Sequence, residues 1–128
     1  MNILSTRLVT PTSVLANGLI PVGAVTHKRG CGMNAYGTTW KVESADYHVI
    51  QANVKLAPTA TGTVTVTMYD NGQPIASASD VIGTANNQTT LPLLAVLYSK
   101  CGCASHTITI DVDVASSVNE LDVVIEGR

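Results

Sequence analysis

The chain has 128 residues, of which 45% are hydrophobic and only 12% charged, and its formal net charge is −2. One domain fits that length and a second does not; folding would bury about two-thirds of the unfolded chain's surface, and Ser, Thr, Asn, Gly or a partner chain must cover much of the exterior. The seven basic residues are scattered singly apart from Lys28-Arg29, so there is no electrostatic footprint for nucleic acid or an anionic membrane.

No apolar run approaches the roughly 20 residues of a membrane span. The opening MNILSTRLVTPTSVLANG lacks the charged region and unbroken apolar stretch of a secretory leader, so synthesis in a cytoplasm is expected. Three cysteines cannot all pair within one monomer, and reduced thiols are the default in that compartment.

Residues 1–19 show no sustained alternation and read as an extended N-terminal arm or linker, leaving 20–128 as the folded domain. GLIPVGAVTHK is a weak strand candidate interrupted by Pro21 and Gly23. TTWKVE is a short strand with Trp40 and Val42 on one side. In HVIQANVKLAP, His48, Ile50, Ala52, Val54 and Leu56 share one face, and Val49, Gln51, Asn53 and Lys55 share the other. GTVTVTMYDNGQPI sets Val64, Val66 and Met68 against a threonine-coated face, and Asn71-Gly72 supplies the positive-φ pair of a tight hairpin turn.

LPLLAVLYSK differs from these. Leu91, Leu93, Ala95 and Leu97 fall on one face of an extended chain and Leu94, Val96 and Tyr98 on the other, so both faces are apolar. Pro92 and the short length favour a strand over a helix. A sandwich strand needs one apolar face for its core, so the second should be covered by another subunit, and Leu91, Leu93, Leu94, Val96, Leu97 and Tyr98 are the expected interface residues. HTITIDVDVA alternates Ile108, Ile110, Val112 and Val114 with polar residues, and SSVNE links it to a closing strand through Leu121, Val123 and Ile125, which reads as a terminal hairpin. Short strands separated by Gly, Pro, Asn and Ser predict an all-β antiparallel sandwich or barrel.

From Tyr47 onward the order of features becomes specific. An Ala45-Asp46-Tyr47 strand entry, the GTVTVTMYDNGQPI hairpin, an apolar strand ending in CGC, the closing VNELDVVIE and the upstream Arg29-Gly30-Cys31 resemble small phage and prophage structural proteins. That group is built on the tumour-necrosis-factor-like, complement-globular-head type of jelly roll. The resemblance spans about residues 20–128 and implies an antiparallel jelly-roll sandwich that forms a tight homotrimer. It implies a virion component made in the host bacterial cytoplasm: a capsid decoration or head-fibre protein, with capsid or other virion proteins as partners. The alternative it offers is a tail- or fibre-associated receptor or glycan-binding module, for which Trp40 and Tyr36 are the anchors at hand. The chain departs from the parent fold in having no Phe, so Leu and Val must replace aromatic packing around the three-fold axis.

The remaining chemistry is sparse. Cys31, Cys101 and Cys103 with His27 or His106 have the residue types of a tetrahedral zinc site. The CxC spacing is poor for it, because the two thiols of an extended strand stand about 7 Å apart on one side. Free, mostly buried thiols are the leading expectation; a disulfide from Cys31 to one CxC cysteine, a metal, or a cluster around a three-fold axis are the alternatives. Asp111 and Asp113 read as outer-face residues, and a calcium site there would need Asn119, Glu120 and Asp122 on the partner strand. His48 reads as a satisfied core or interface histidine. No nucleophile elbow or phosphate loop is present, so neither an enzymatic activity nor a cofactor is expected.

Overall fold

The computed structural model describes residues 2–43, 47–98 and 105–127. Its strands are β1 (Asn2–Leu8), β2 (Thr12–Val14), β3 (Gly18–Leu19), β4 (Ala24–Arg29), β5 (Met33–Tyr36), β6 (Thr39–Val42), β7 (Tyr47–Pro58), β8 (Gly62–Asp70), β9 (Gln73–Ile82), β10 (Thr89–Tyr98), β11 (His106–Val112) and β12 (Ser116–Gly127), with no helix among the described residues. They form two sheets, paired antiparallel throughout. The first runs β10-β7-β12-β1-β4 with β2 added to β12; the second runs β5-β6-β11-β8-β9 with β3 added to β11.

The alternation of the long strands is what closes this sandwich. Ile50, Val54, Leu56, Leu121, Val123 and Ile125 from the first sheet meet Val64, Val66, Met68, Ile108, Ile110 and Val112 from the second, all buried. Each of those side chains removes enough apolar surface from water to contribute about 1.5–3 kcal/mol. With no Phe in the chain, Trp40 is the largest side chain in the core, and it is fully buried with Val42 beside it. Its indole Nε1–H donates to Thr6 Oγ1 at 2.9 Å, a hydrogen bond from β6 to β1 across the sandwich. The hairpin between β8 and β9 turns at Asn71 (φ 51°) and Gly72 (φ 86°), the left-handed pair expected there.

Residues 2–19 are not an extended arm. β1 lies inside the first sheet, paired along its whole length with β12 on one side and from Ile3 to Arg7 with β4 on the other. Leu4, Thr6 and Leu8 point into the core. The alternation of NILSTRL is short and has a threonine at its centre, so its strand character depends on two neighbours more than 15 residues away in the chain. The weak candidate over residues 18–28 is two strands in different sheets, β3 against β11 and β4 against β1. Gly23 stands between them at φ 78°, where an added Cβ would collide with the Arg7 backbone.

The closing segments are likewise not a hairpin. β11 belongs to the second sheet and β12 to the first, so the chain crosses the sandwich between Val112 and Ser116. SSVNE is part of β12, with a register shift between Val118 and Glu120 that accommodates Asn119 as a bulge.

Candidate functional site

β10 separates its two apolar faces sharply. Leu91, Leu93, Ala95 and Leu97 line the core, whereas Leu94 is 63% exposed, Val96 55% and Tyr98 79%. Of the six residues expected at an oligomer interface, Leu91, Leu93 and Leu97 are therefore core residues of the single chain. They face the second sheet because the core requires one face of every long strand.

The register extends the exposed row sideways. Tyr98 pairs with Tyr47, Val96 with Val49, Leu94 with Gln51 and Pro92 with Asn53. On the far side of β7, Val124 pairs with Gln51 and Glu126 with Val49, and Ile3 of β1 follows beside Glu126. The two tyrosine rings lie 6.0 Å apart at 38°, within the range of a favourable aromatic pair. Tyr98, Tyr47, Val96, Val49 and Leu94 thus form an apolar surface at one end of the outer face of the first sheet, with Val124 beyond Gln51 and Ile3 beyond Glu126. Val49 already stood on the solvent side of its strand by alternation. That it joins Val96, and that Val124 and Ile3 complete the patch, depends on strand order and register.

The other end of the same face is charged. Arg7 reaches Glu120 at 2.6 Å and Asp122 at 3.2 Å, and Lys55 reaches the second Glu120 oxygen at 2.8 Å. Hydrogen bonds from Lys55 and Arg7 hold the Glu120 carboxyl below its ordinary range and raise both cations in return. Water screens these pairs, so they orient the surface more than they stabilise it. A shallow hollow of about 350 Å³ lined by Gln51, Asn53, Pro92 and Leu94 joins the two ends.

Of the residues weighed as metal ligands, the three that the structure describes stand on different segments. His27 lies exposed on edge strand β4, opposite Ser5, and Cys31 is exposed in the loop that follows. His106 is buried in the second sheet with its Nδ1–H donating to Asp70 Oδ2 at 2.9 Å. Cys101 and Cys103 lie outside the described residues. Among the described residues, no group of three or more His, Cys, Asp or Glu is arranged to hold a metal. The two flanks of the cysteine segments do approach one another: Glu43 N–H donates to Gly32 O at 2.6 Å, and Ser105 Oγ donates to the Glu43 carboxylate at 3.2 Å.

Asp111 and Asp113 stay on the second sheet, apart from Glu120 and Asp122 on β12 in the first, so the calcium set is not assembled. Asp111 accepts from the Tyr69 hydroxyl at 3.3 Å, and Asp113 accepts from Thr65 N–H at 2.8 Å. Burial pushes the Asp111 carboxyl up, partly offset by Tyr69. Beside them Thr65, Thr67, Tyr69, Pro74, Ile75 and Ser77 line an open hollow of about 490 Å³ on β8 and β9. Trp40 is inside the core and cannot anchor a ligand; Tyr36 is exposed. His48 is fully buried, as its face of β7 implied, but neither ring nitrogen has a hydrogen-bond partner among the described residues.

Neither a protein-family model nor a curated protein sequence matches this chain. Solved structures do match it over nearly its whole length. The Eiger TNF from S. frugiperda superposes with a TM-score of 0.73 at 8% identity, covering 100% of this chain and 94% of that one. The globular domain of zebrafish complement 1qA gives 0.65 at 8% identity, covering 100% and 96%. PRD1 vertex protein P5 gives 0.60 at 14% identity, covering 98% and 96%. At these identities the likeness shows the fold, a TNF-like jelly roll built of two antiparallel sheets.

Proposed function

We propose that this TNF-like jelly roll is a virion structural protein, a homotrimer that decorates a phage capsid or forms part of a head fibre. The observation that carries the reading is the exposed apolar end of the first sheet, where Leu94, Val96 and Tyr98 stand in solvent beside Tyr47, Val49 and Val124. An exposed cluster of large apolar side chains of that kind marks a protein contact. Trimerisation would cover it, and the resemblance to the TNF-like group supports three copies. The virion role is supported by the motif resemblance over residues 20–128 and by the fold shared with PRD1 vertex protein P5. The work is mechanical: copies that bind only the assembled shell stabilise it by mass action. Since β1, β2 and β3 are paired into the sheets, residues 2–19 would contribute to attachment as part of the folded surface and not as an arm.

Light scattering on the purified chain is expected to give about three chain masses, and a dilute-solution monomer would overturn the trimer. Gold-labelled antibody on intact phage particles is expected to mark the head. Particles without label would remove the virion reading.

A second reading, a tail- or fibre-associated glycan-binding module, is favoured by the hydroxyl-lined hollow around Tyr69. It predicts glycan-array binding that Tyr69→Ala abolishes, and an empty array sinks it.

A further inference from the structure

The buried side-chain polar atoms without a hydrogen-bond partner among the described residues fall in one place: Nδ1 and Nε2 of His48 and Oδ1 of Asp70. His48 sits on the core side of β7, where its cross-strand neighbours are Leu97 of β10 and Gly127 of β12. From the second sheet His106 faces it, with ring centroids 6.1 Å apart and planes at 71°. His106 is tied through Nδ1 to Asp70 at the end of β8. At this end, therefore, the two sheets meet imidazole on imidazole, where most of the core is apolar.

A neutral imidazole tolerates that place at the cost of its unmade hydrogen bonds. A charged one would be a cation with no acceptor bonded to it among the described residues, removed from water and set against a second imidazole. The groups facing His48 are His106 from β11, Asp70 behind it on β8, and the Glu43 backbone beyond β6. The Glu43 carboxylate is engaged by Ser105 and lies 3.9 Å from Lys41. β10 presents Leu97, and across Gly127 the β1 neighbour is Asn2, whose side-chain amide donates to Cys31 O at 2.9 Å, while Tyr47 and Glu126 lie on the opposite face of the sheet. Asp46, Lys100, Cys101 and Cys103 lie outside the described residues. Burial, and then His106, push His48 below the ordinary imidazole range, outweighing the Glu43 backbone, which lies near but outside hydrogen-bond geometry.

We propose that the His48–His106–Asp70 cluster is an acid-triggered latch: it closes this end of the sandwich while His48 is neutral, and proton uptake at His48 pries the sheets apart in mild acid. The apolar surface begins next door, at Tyr47 and at the Tyr98 that pairs with it. Opening the latch therefore also loosens self-association, a consequence that rests on the trimer reading, although the latch does not. The sign follows from linkage. Above about pH 6.5, the ordinary imidazole value, closed and opened states are both neutral and stability is full. As pH falls below that, the opened state takes up a proton that the closed state refuses, so stability is lost down to the lowered value in the fold.

The test is denaturant unfolding of the full chain from pH 7.5 to 5, for the wild type and His48→Leu, with light-scattering mass at each pH. The wild-type unfolding constant is expected to rise by up to about tenfold per pH unit below 6.5, and His48→Leu to lose that rise. Equal slopes in the two proteins would overturn the latch even if the trimer stands. A monomer that keeps the wild-type slope at His48 would sink the assembly reading and support the latch. Should His48→Leu fail to fold, proton NMR of the wild-type imidazoles decides. His48 is expected to keep its neutral signals until the core resonances change with it, and a His48 that titrates with the core undisturbed overturns the proposal.

Discussion

Leu94→Asp is expected to turn the proposed trimer into a folded monomer, whereas Leu93→Ala, one residue away, is expected to leave the assembly mass unchanged and weaken the fold. The two side chains leave β10 on opposite faces: Leu94 is 63% exposed and Leu93 3%. A carboxylate at position 94 costs the single chain almost nothing, because water already reaches the site. In an assembly it must be desolvated among Tyr98, Val96 and Val49 with no free cation beside it among the described residues, since Arg7 and Lys55 are committed to Glu120 at the other end of the face. Leu93→Ala instead removes methyl groups from a close-packed interior and leaves a cavity, a loss of about 2–5 kcal/mol. Light scattering reads the first effect and urea unfolding the second. If Leu94→Asp keeps the wild-type mass, the exposed face of the first sheet is not the contact.

Trp40→Ala is expected to take about 3–5 kcal/mol from the fold through the missing ring alone. The hydroxyl of Thr6 then loses the indole donor that reaches it across the sandwich, a further loss of about 1–3 kcal/mol if nothing replaces it. Against a total of about 5–15 kcal/mol for a domain of ordinary stability, that is a large fraction. The size follows from composition: with no Phe in the chain and no Tyr among the buried core residues, no second ring of that size stands in the core to fill the space. Trp40→Phe, which keeps most of the volume and loses the N–H, is expected to fall between the wild type and Trp40→Ala. Circular dichroism in urea measures all three, because the substitutions remove the single tryptophan fluorophore. A loss below about 1 kcal/mol for Trp40→Ala would mean that the ring is not the centre of the packing.

The inward and outward sets of the long strands were legible because alternation is a local property. Successive side chains of an extended backbone leave on opposite sides whatever the strand pairs with. Hence His48, Ile50, Ala52 and Val54 on one face, Val64, Val66 and Met68 on one face, Trp40 with Val42, and the Asn71-Gly72 turn all stand where the sequence places them. The two apolar faces of β10 were visible for the same reason, although nothing local says which of them the core takes.

Tertiary structure decided everything that depends on a partner strand. It brought β1 in from what read as an arm, because its short alternation becomes a strand only between β12 and β4. It sent β11 and β12 to different sheets, since a crossing and a hairpin share the same alternation on either side of a short link. It left Leu94, Val96 and Tyr98 in solvent, and it placed His48 beside His106, two residues far apart in the chain. Period and turn chemistry act over a few residues and determine what each strand shows to either side. Which strands lie next to one another, and so which exposed side chains gather into a surface, is settled by pairings between distant parts of the chain that only the closed sandwich selects.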